Sequence, residues 1–277
     1  MPAHPQTITL DSFKGLNNKD KPERTPIDFL KEALNIDIDS AGGIRKREGY
    51  SKQISGVFHS LWSNGEDVCL AVKDGDLVRI TSNLNTILIK AGVGNDKISY
   101  DIIGDDIYFT SISINGILNR NTNKVREWGL QSPNPIPSIT SSNGILPSGT
   151  FQVVTTFLDK FGRESGASPL QTIDLQKDKS IVLSGFSVPT NSDIISRNIY
   201  VSSQNGSHLF LNKTIPINQT TTTIDDTFSN IVPLKTIGVS SAPRGYIVKH
   251  AHGRMWVADD KVLWFSDALT YDWFRFS

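Results

Sequence analysis

Residues 67–80 read Asp67-Val68-Cys69-Leu70-Ala71-Val72-Lys73-Asp74-Gly75-Asp76-Leu77-Val78-Arg79-Ile80, two apolar runs around an Asp-Gly pair. Asp-Gly accepts the positive φ angles of a two-residue hairpin turn, so the stretch predicts two antiparallel strands. Outward from it, residues 59–62 and 86–90 supply the flanking strands of a four-stranded meander. The pattern then repeats over residues 98–103, 107–110, 116–119 and 125–128. Two consecutive meanders of about 40 residues each, over residues 56–132, read as blades of a β-propeller. Asn64-Gly65, Asn115-Gly116, Asn143-Gly144 and Asn205-Gly206 predict further tight turns. Such dense turn punctuation between short β-branched runs predicts an all-β chain.

Pro133, Pro135, Pro137 and Pro147 lie in a Ser/Asn-rich stretch that reads as a linker. Strands are then expected at 138–141, 150–158, 170–175, 180–184, 198–202, 208–214 and 221–225. Seven short strands within residues 133–243 predict an inserted β-sandwich of the fibronectin type III or immunoglobulin kind. Residues 244–277 return to aromatic hairpins, at 250–258 and 262–266 around Asp259-Asp260, and are expected to complete the propeller-like part. Residues 1–55 fit no blade and form an N-terminal arm. In it Thr25-Pro26-Ile27-Asp28 has the form of a helix start, and Phe29, Leu30, Ala33 and Leu34 recur at helical spacing. A short N-terminal helix ending at Asn35 is expected. Ser40-Ala41-Gly42-Gly43 predicts a hairpin that brings Asp37 and Asp39 near Arg45 and Arg47.

Twenty-eight basic and 28 acidic residues give the 277-residue chain no formal net charge. The balance also holds locally, with eight of each in residues 1–50. That argues against holding nucleic acid or an anionic membrane by bulk electrostatics. One cysteine, Cys69, excludes an internal disulfide and a Cys-rich metal site, and its apolar surroundings predict a buried packing residue. No stretch has the length of a membrane span, and the first residues lack the charged and apolar regions of a signal peptide. A soluble protein made in the cytoplasm is expected.

Catalytic chemistry needs titratable groups brought together. Asp105-Asp106, Asp225-Asp226 and Asp259-Asp260 are adjacent carboxylates, and neighbours on a strand face opposite ways, so all three read as turns. His250 and His252 would share one strand face, a metal-ligand geometry that lacks a third ligand nearby. Asp37, Asp39 and Glu48 carry part of a calcium-loop spacing, but Ala41 stands at its fifth position. No catalytic residue, cofactor or metal site is assigned. Arg45-Lys46-Arg47 is the one basic cluster. Trp256, Trp264 and Trp273 belong to a terminal aromatic group that reads as packing or a subunit contact, with a carbohydrate platform as the alternative.

Three segments carry a resemblance. Phe13-Lys14-Gly15-Leu16-Asn17-Asn18-Lys19-Asp20 with Pro22, Pro26, Ala33-Leu34-Asn35 and Gly42 through Tyr50 is the first. Arg197-Asn198-Ile199-Tyr200-Val201, Asn205-Gly206 and Thr221 through Asp226 form the second. His252-Gly253-Arg254-Met255-Trp256, Leu263 through Ala268 and Trp273-Phe274 form the third. In this order they resemble bacteriophage tail nozzle proteins of the tail tubular protein B group, which carry a fibronectin-like insert.

The resemblance implies a virion structural protein, nozzle- or hub-like, with no enzymatic role. It implies a homo-oligomeric ring, six-fold by analogy, around the DNA-ejection channel below the portal or adaptor. DNA would pass without sequence-specific binding. The chain would be made in the host bacterial cytoplasm and end in the virion tail. Such proteins run on through further blades, so neighbouring subunits are expected to complete the sheet. Interface candidates are Phe13, Leu16, Asn17, Arg45, Lys46, Arg47 and Tyr50 in the arm, with Trp256, Trp264 and Trp273. The alternatives are a host-surface module binding a glycan or receptor, and a glycan-degrading tail enzyme.

Overall fold

A computed structural model describes residues 8–226 and 231–275. The chain divides into two compact units, Met1–Ser55 and Gly56–Ser277. Among the described residues every strand pairs antiparallel, and one isolated parallel bridge joins Leu16 to Leu30.

The first unit holds a 3-10 turn at Pro22–Arg24 and a hairpin of β1 (Ile36–Ile38) and β2 (Ile44–Lys46). Asp37 pairs with Arg45 in register, and Arg47 reaches back to the Asp37 carboxylate at 3.1 Å. Asp39 instead closes the turn, its Oδ1 accepting from the Ala41 and Gly43 amides at 3.0 and 2.8 Å. The expected helix after Thr25 does not form. Leu30 N–H donates to Gly15 O and Asn17 N–H to Leu30 O, both 2.9 Å, so this backbone bridges to another segment rather than to itself. Two helical turns are below the length that sustains itself, and the Asp28 carboxylate is held 2.5 Å from Lys14 Nζ.

The second unit begins with two meanders. β3 (Phe58–Ser63), β4 (Cys69–Lys73), β5 (Asp76–Ile80) and β6 (Thr86–Lys90) pair in sequence order. So do β7 (Ser99–Ile103), β8 (Asp106–Thr110), β9 (Asn115–Asn119) and β10 (Lys124–Arg126). Asp74 and Gly75 take φ of 53° and 87°, as the Asp-Gly hairpin requires. Asn115-Gly116 lies at the start of β9 instead of in a turn. A Cβ on Gly116 would meet Phe109 Cζ at 2.6 Å, so this glycine makes room for a core ring. Cys69 is half-buried on β4, on the face away from Leu70.

Seven strands follow: β11 (Ser138–Leu146), β12 (Gly149–Asp159), β13 (Gln171–Leu175), β14 (Lys179–Ser184), β15 (Ile194–Ser202), β16 (Leu209–Pro216) and β17 (Thr221–Ile224). They form two sheets of order β11-β14-β17 and β13-β12-β15-β16. Phe151, Val153, Ile199 and Val201 from one sheet pack against Ile181, Leu183 and Ile224 from the other, so the two antiparallel sheets form a sandwich around one shared core. Asn143-Gly144 is not a turn either. It lies inside β11, where the register slips and a Gly144 Cβ would collide with Ser180. Arg197 is 1% exposed, its guanidinium 4.4 Å from the Phe186 ring centroid, and burial pushes its pKa down to about 10.

The last sheet has the order β18-β22-β21-β20-β19, from β18 (Val239–Ser240), β19 (Ile247–Ala251), β20 (Arg254–Ala258), β21 (Leu263–Asp267) and β22 (Thr270–Arg275). The expected strand over 250–258 is broken by a turn, with His252 at φ 52° and Gly253 at 69°. His250 is the penultimate residue of β19 and His252 sits in that turn, so the two do not share a strand face.

The three meander sheets stack face to face. Leu70, Val72 and Leu77 of the first meet Ile107, Phe109 and Leu118 of the second, with Trp62 stacked on Tyr100 at 5.6 Å. Tyr108 and Ile117 of the second meet Val248, Met255, Val257 and Phe274 of the third around Trp128. Full burial of such side chains contributes roughly 1.5–3 kcal/mol each. Trp128 Nε1 donates to Tyr271 O at 2.8 Å, so its one polar atom is satisfied.

Candidate functional site

Strand alternation fixes which residues the ends of this stack show. On the third meander Val248, Met255 and Val257 face inward, so Ile247, Trp256, Ala258, Leu263 and Phe265 face outward in register. Trp256 lies 5.2 Å from Phe265, and the Arg254 guanidinium lies 5.1 Å from the Phe265 ring centroid. Trp256 Nε1 donates to Ala251 O at 3.0 Å, which fixes the indole on that face. Ile247, Leu263 and Phe265 are exposed. At the other end Leu61 and Leu88 are exposed on the first meander, while Ala71 and Val78 on its outer face are buried. Each end of the stack therefore carries a few exposed apolar side chains.

The three terminal tryptophans separate. Trp256 is on the outer face. Trp264 packs against the inner cluster, and Trp273 Nε1 donates to Glu164 O of the sandwich at 3.3 Å. They make no common platform.

In the first unit, no apolar side chain from residue 8 to residue 55 is buried. Phe13 and Asn17 are half-buried; Leu16, Arg45, Lys46 and Arg47 are exposed, and Tyr50 is 99% exposed. Ile8, Leu10, Ile27, Leu34 and Ile44 are exposed as well. Asn17 Oδ1 accepts from the Lys19 and Asp20 amides, so it shapes a turn. Arg47 is paired with Asp37, and no ion pair engages Arg45 or Lys46 among the described residues.

Each adjacent pair has at least one carboxylate with structural work. Arg126 holds Asp106 with two hydrogen bonds of 3.0 and 2.5 Å, and Arg120 Nε donates to Asp105 at 3.1 Å. Asp225 accepts from Ser180 Oγ. Asp259 Oδ1 accepts from the Lys261 and Val262 amides at 2.8 Å, which holds its carboxyl below the usual range. Among the described residues no group of three or more His, Cys, Asp or Glu side chains is placed to hold a metal ion, and Asp37, Asp39 and Glu48 do not converge.

Sequence reasoning missed the junction between sandwich and meanders. Arg163 Nε donates to the fully buried Asp159 at 2.8 Å, while Nη1 donates to Glu127 O and to Asp272 at 3.0 and 3.1 Å. Burial pushes the Asp272 carboxyl up, against the pull of Arg163 and Arg126. Asp159 through Arg163 carries turn residues that were readable, but its partner is 109 positions away. The sequence matches no protein-family model and no curated protein.

Proposed function

We propose that the chain is a structural component of a bacteriophage tail, nozzle- or hub-like, that assembles with itself into a ring around the DNA-ejection channel. The observation that supports this best is the exposed apolar side chains at opposite ends of the meander stack, Leu61 and Leu88 at one and Ile247, Leu263 and Phe265 at the other. A heterologous contact between them, end of one copy to end of the next, generates a closed ring when the rotation permits. In this reading the meanders are blades of an open propeller, and the sandwich is its fibronectin-like insert. The arm adds a second reason. Its apolar residues have no core of their own, and burying them against a neighbouring subunit is the gain that orders such a segment.

The ring belongs in the virion tail, next to portal or adaptor proteins, after synthesis in the host bacterial cytoplasm. Six copies is the number the resemblance offers. Equal charges suit a conduit, because a strongly basic lumen would retain phosphates. A structural rather than enzymatic role suits the engagement of Asp105 and Asp106 by arginines, of Asp225 by Ser180 and of Asp259 by backbone amides. A host-surface module built on the terminal tryptophans has less support, because Trp264 and Trp273 are engaged within the chain.

Mass photometry of the purified full chain tests the reading. Discrete closed oligomers support it; a monomer of 30.6 kDa at every concentration up to tens of micromolar, with no incorporation into particles, refutes it.

A further inference from the structure

Between the edge strand β10 of the second meander and two loops of the sandwich runs a cleft of about 1090 Å³. β6 of the first meander supplies Lys90, β10 and the turn before it supply Thr122, Asn123, Lys124 and Arg126, and the sandwich side supplies Lys160, Phe161, Arg163, Asn191 and Ser192. Clefts of this size are where small ligands and oligomer segments bind.

Phe161 is the anomaly in it. The ring stands at the tip of a tight turn, beside Gly162 at φ 79°, and is 56% exposed. Lys160 Nζ lies 5.1 Å from its centroid, and the Arg126 and Arg163 guanidinium carbons lie 5.8 Å away. An exposed ring rimmed by cations offers an apolar surface next to anion-binding groups.

The charges narrow the ligand further. Arg126 is matched by Asp106, Lys160 by Asp193 at 2.5 Å, and Arg163 by Asp159 and Asp272. Lys90 and Lys124 are exposed and have no carboxylate within ion-pair distance among the described residues. Lys90 and Lys124 thus give the cleft two exposed, unmatched cations. The cleft is also lined by the carboxylates Asp106, Glu127 and Asp193, which repel a dense polyanion but accept hydrogen bonds from hydroxyls. Asn123, Asn191, Thr122 and Ser192 add amide and hydroxyl groups of the kind that pair with polyols.

From these groups we infer that the cleft binds an anionic saccharide of low charge density, a chain with many hydroxyls and an acidic group on only some of its sugars. A sugar face packs on Phe161, Lys90 and Lys124 take the acidic group, and the amides and carboxylates bind hydroxyls. The site uses neither end face of the meander stack nor any terminal tryptophan, so it stands or falls apart from ring assembly.

Titration calorimetry on the full chain tests it with four probes: a hyaluronan octasaccharide (carboxylate), a chondroitin sulfate octasaccharide (carboxylate and sulfate ester), maltoheptaose (neutral) and an eight-nucleotide deoxythymidine strand. Hyaluronan, with an acid on alternate sugars, is expected to bind at least tenfold tighter than maltoheptaose and the nucleotide, and tighter than chondroitin sulfate, which carries an acid on every sugar; chondroitin sulfate binding the tighter of the two contradicts the low charge density. Phe161→Ala and Lys124→Glu should each weaken hyaluronan binding about tenfold with an unchanged melting temperature, and Ser192→Trp should block it by filling the cleft. Equal binding of maltoheptaose, tighter binding of the nucleotide, no heat with any acidic saccharide at millimolar concentration, or variants that bind like the parent overturns the inference.

Discussion

Arg163, in the turn after β12, places Nη1 3.1 Å from Oδ2 of Asp272 on β22 and ties the sandwich to the third meander across 109 residues of sequence. The same side chain closes its own turn through Asp159 and caps the end of the second meander through Glu127 O. Truncation leaves two largely buried carboxylates without their cation, which typically costs 3–5 kcal/mol. Arg163→Ala is therefore expected to lower stability by about 3–5 kcal/mol in urea denaturation. Arg163→Lys should recover part of the loss, because an ammonium lacks the planar fork that serves three acceptors.

Asp272 gives the junction a pH dependence. Its folded pKa is raised above the ordinary 3.8, chiefly by burial, so the folded state binds this proton more tightly than the unfolded chain does. Its contribution to stability is full below the unfolded value and lost as pH rises through the folded one. Against Asp272→Asn, which cannot titrate, the parent protein is expected to gain stability as pH falls from 7 toward 4. Paired urea melts at several pH values check this, and a difference that is flat or shrinks on acidification contradicts it.

Gly166 lies where the sandwich meets β18. A Cβ there would sit 1.8 Å from the carbonyl oxygen of Val239, and a backbone atom cannot swing away as a side chain can. Overpacking of this kind costs roughly 1–3 kcal/mol. Gly166→Ala is expected to fall in that range, whereas Gly116→Ala should displace the Phe109 ring and loosen the packing between the first two meanders. Thermal melts separate both variants from the parent.

Trp264 and Trp256 are next to each other in register terms but lie on opposite faces. Trp264→Ala removes part of the inner cluster and is expected to cost about 2–4 kcal/mol, near the lower range for large core truncations. Trp256→Ala, on the outer face, should change stability little and weaken self-association. Denaturation and sedimentation velocity on the same two variants give opposite patterns if the faces are as described.

Much of the β architecture was legible because its signals are local. Period-two alternation and the Asp74-Gly75 turn place β4 and β5 to within a residue, and both early meanders follow from the same reading. The misses share one physical cause: distant partners decided them. Gly116 and Gly144 looked like turn residues, but they are small because Phe109 and Ser180 need the space. The helix after Thr25 had a correct cap and spacing, yet two turns of helix lose to backbone bridging with Gly15 and Asn17. His250 stays on its strand while the His252-Gly253 turn takes His252 off it, a turn the aromatic run concealed. Among the site residues, the arm was chosen because it fits no meander. Trp264 could not be told from Trp256 until strand register assigned their faces, and nothing local marks Arg163 or Phe161.

In the proposed role, copies of this chain surround an axial passage in a phage tail. Cryo-electron microscopy of intact particles containing the chain measures that directly. Several copies related by rotation about the tail axis are expected, the outer face bearing Trp256, Leu263 and Phe265 of each against the Leu61 and Leu88 face of the next, with an open channel between them. Isolated copies that leave both faces bare, or a location away from the tail axis, would contradict it.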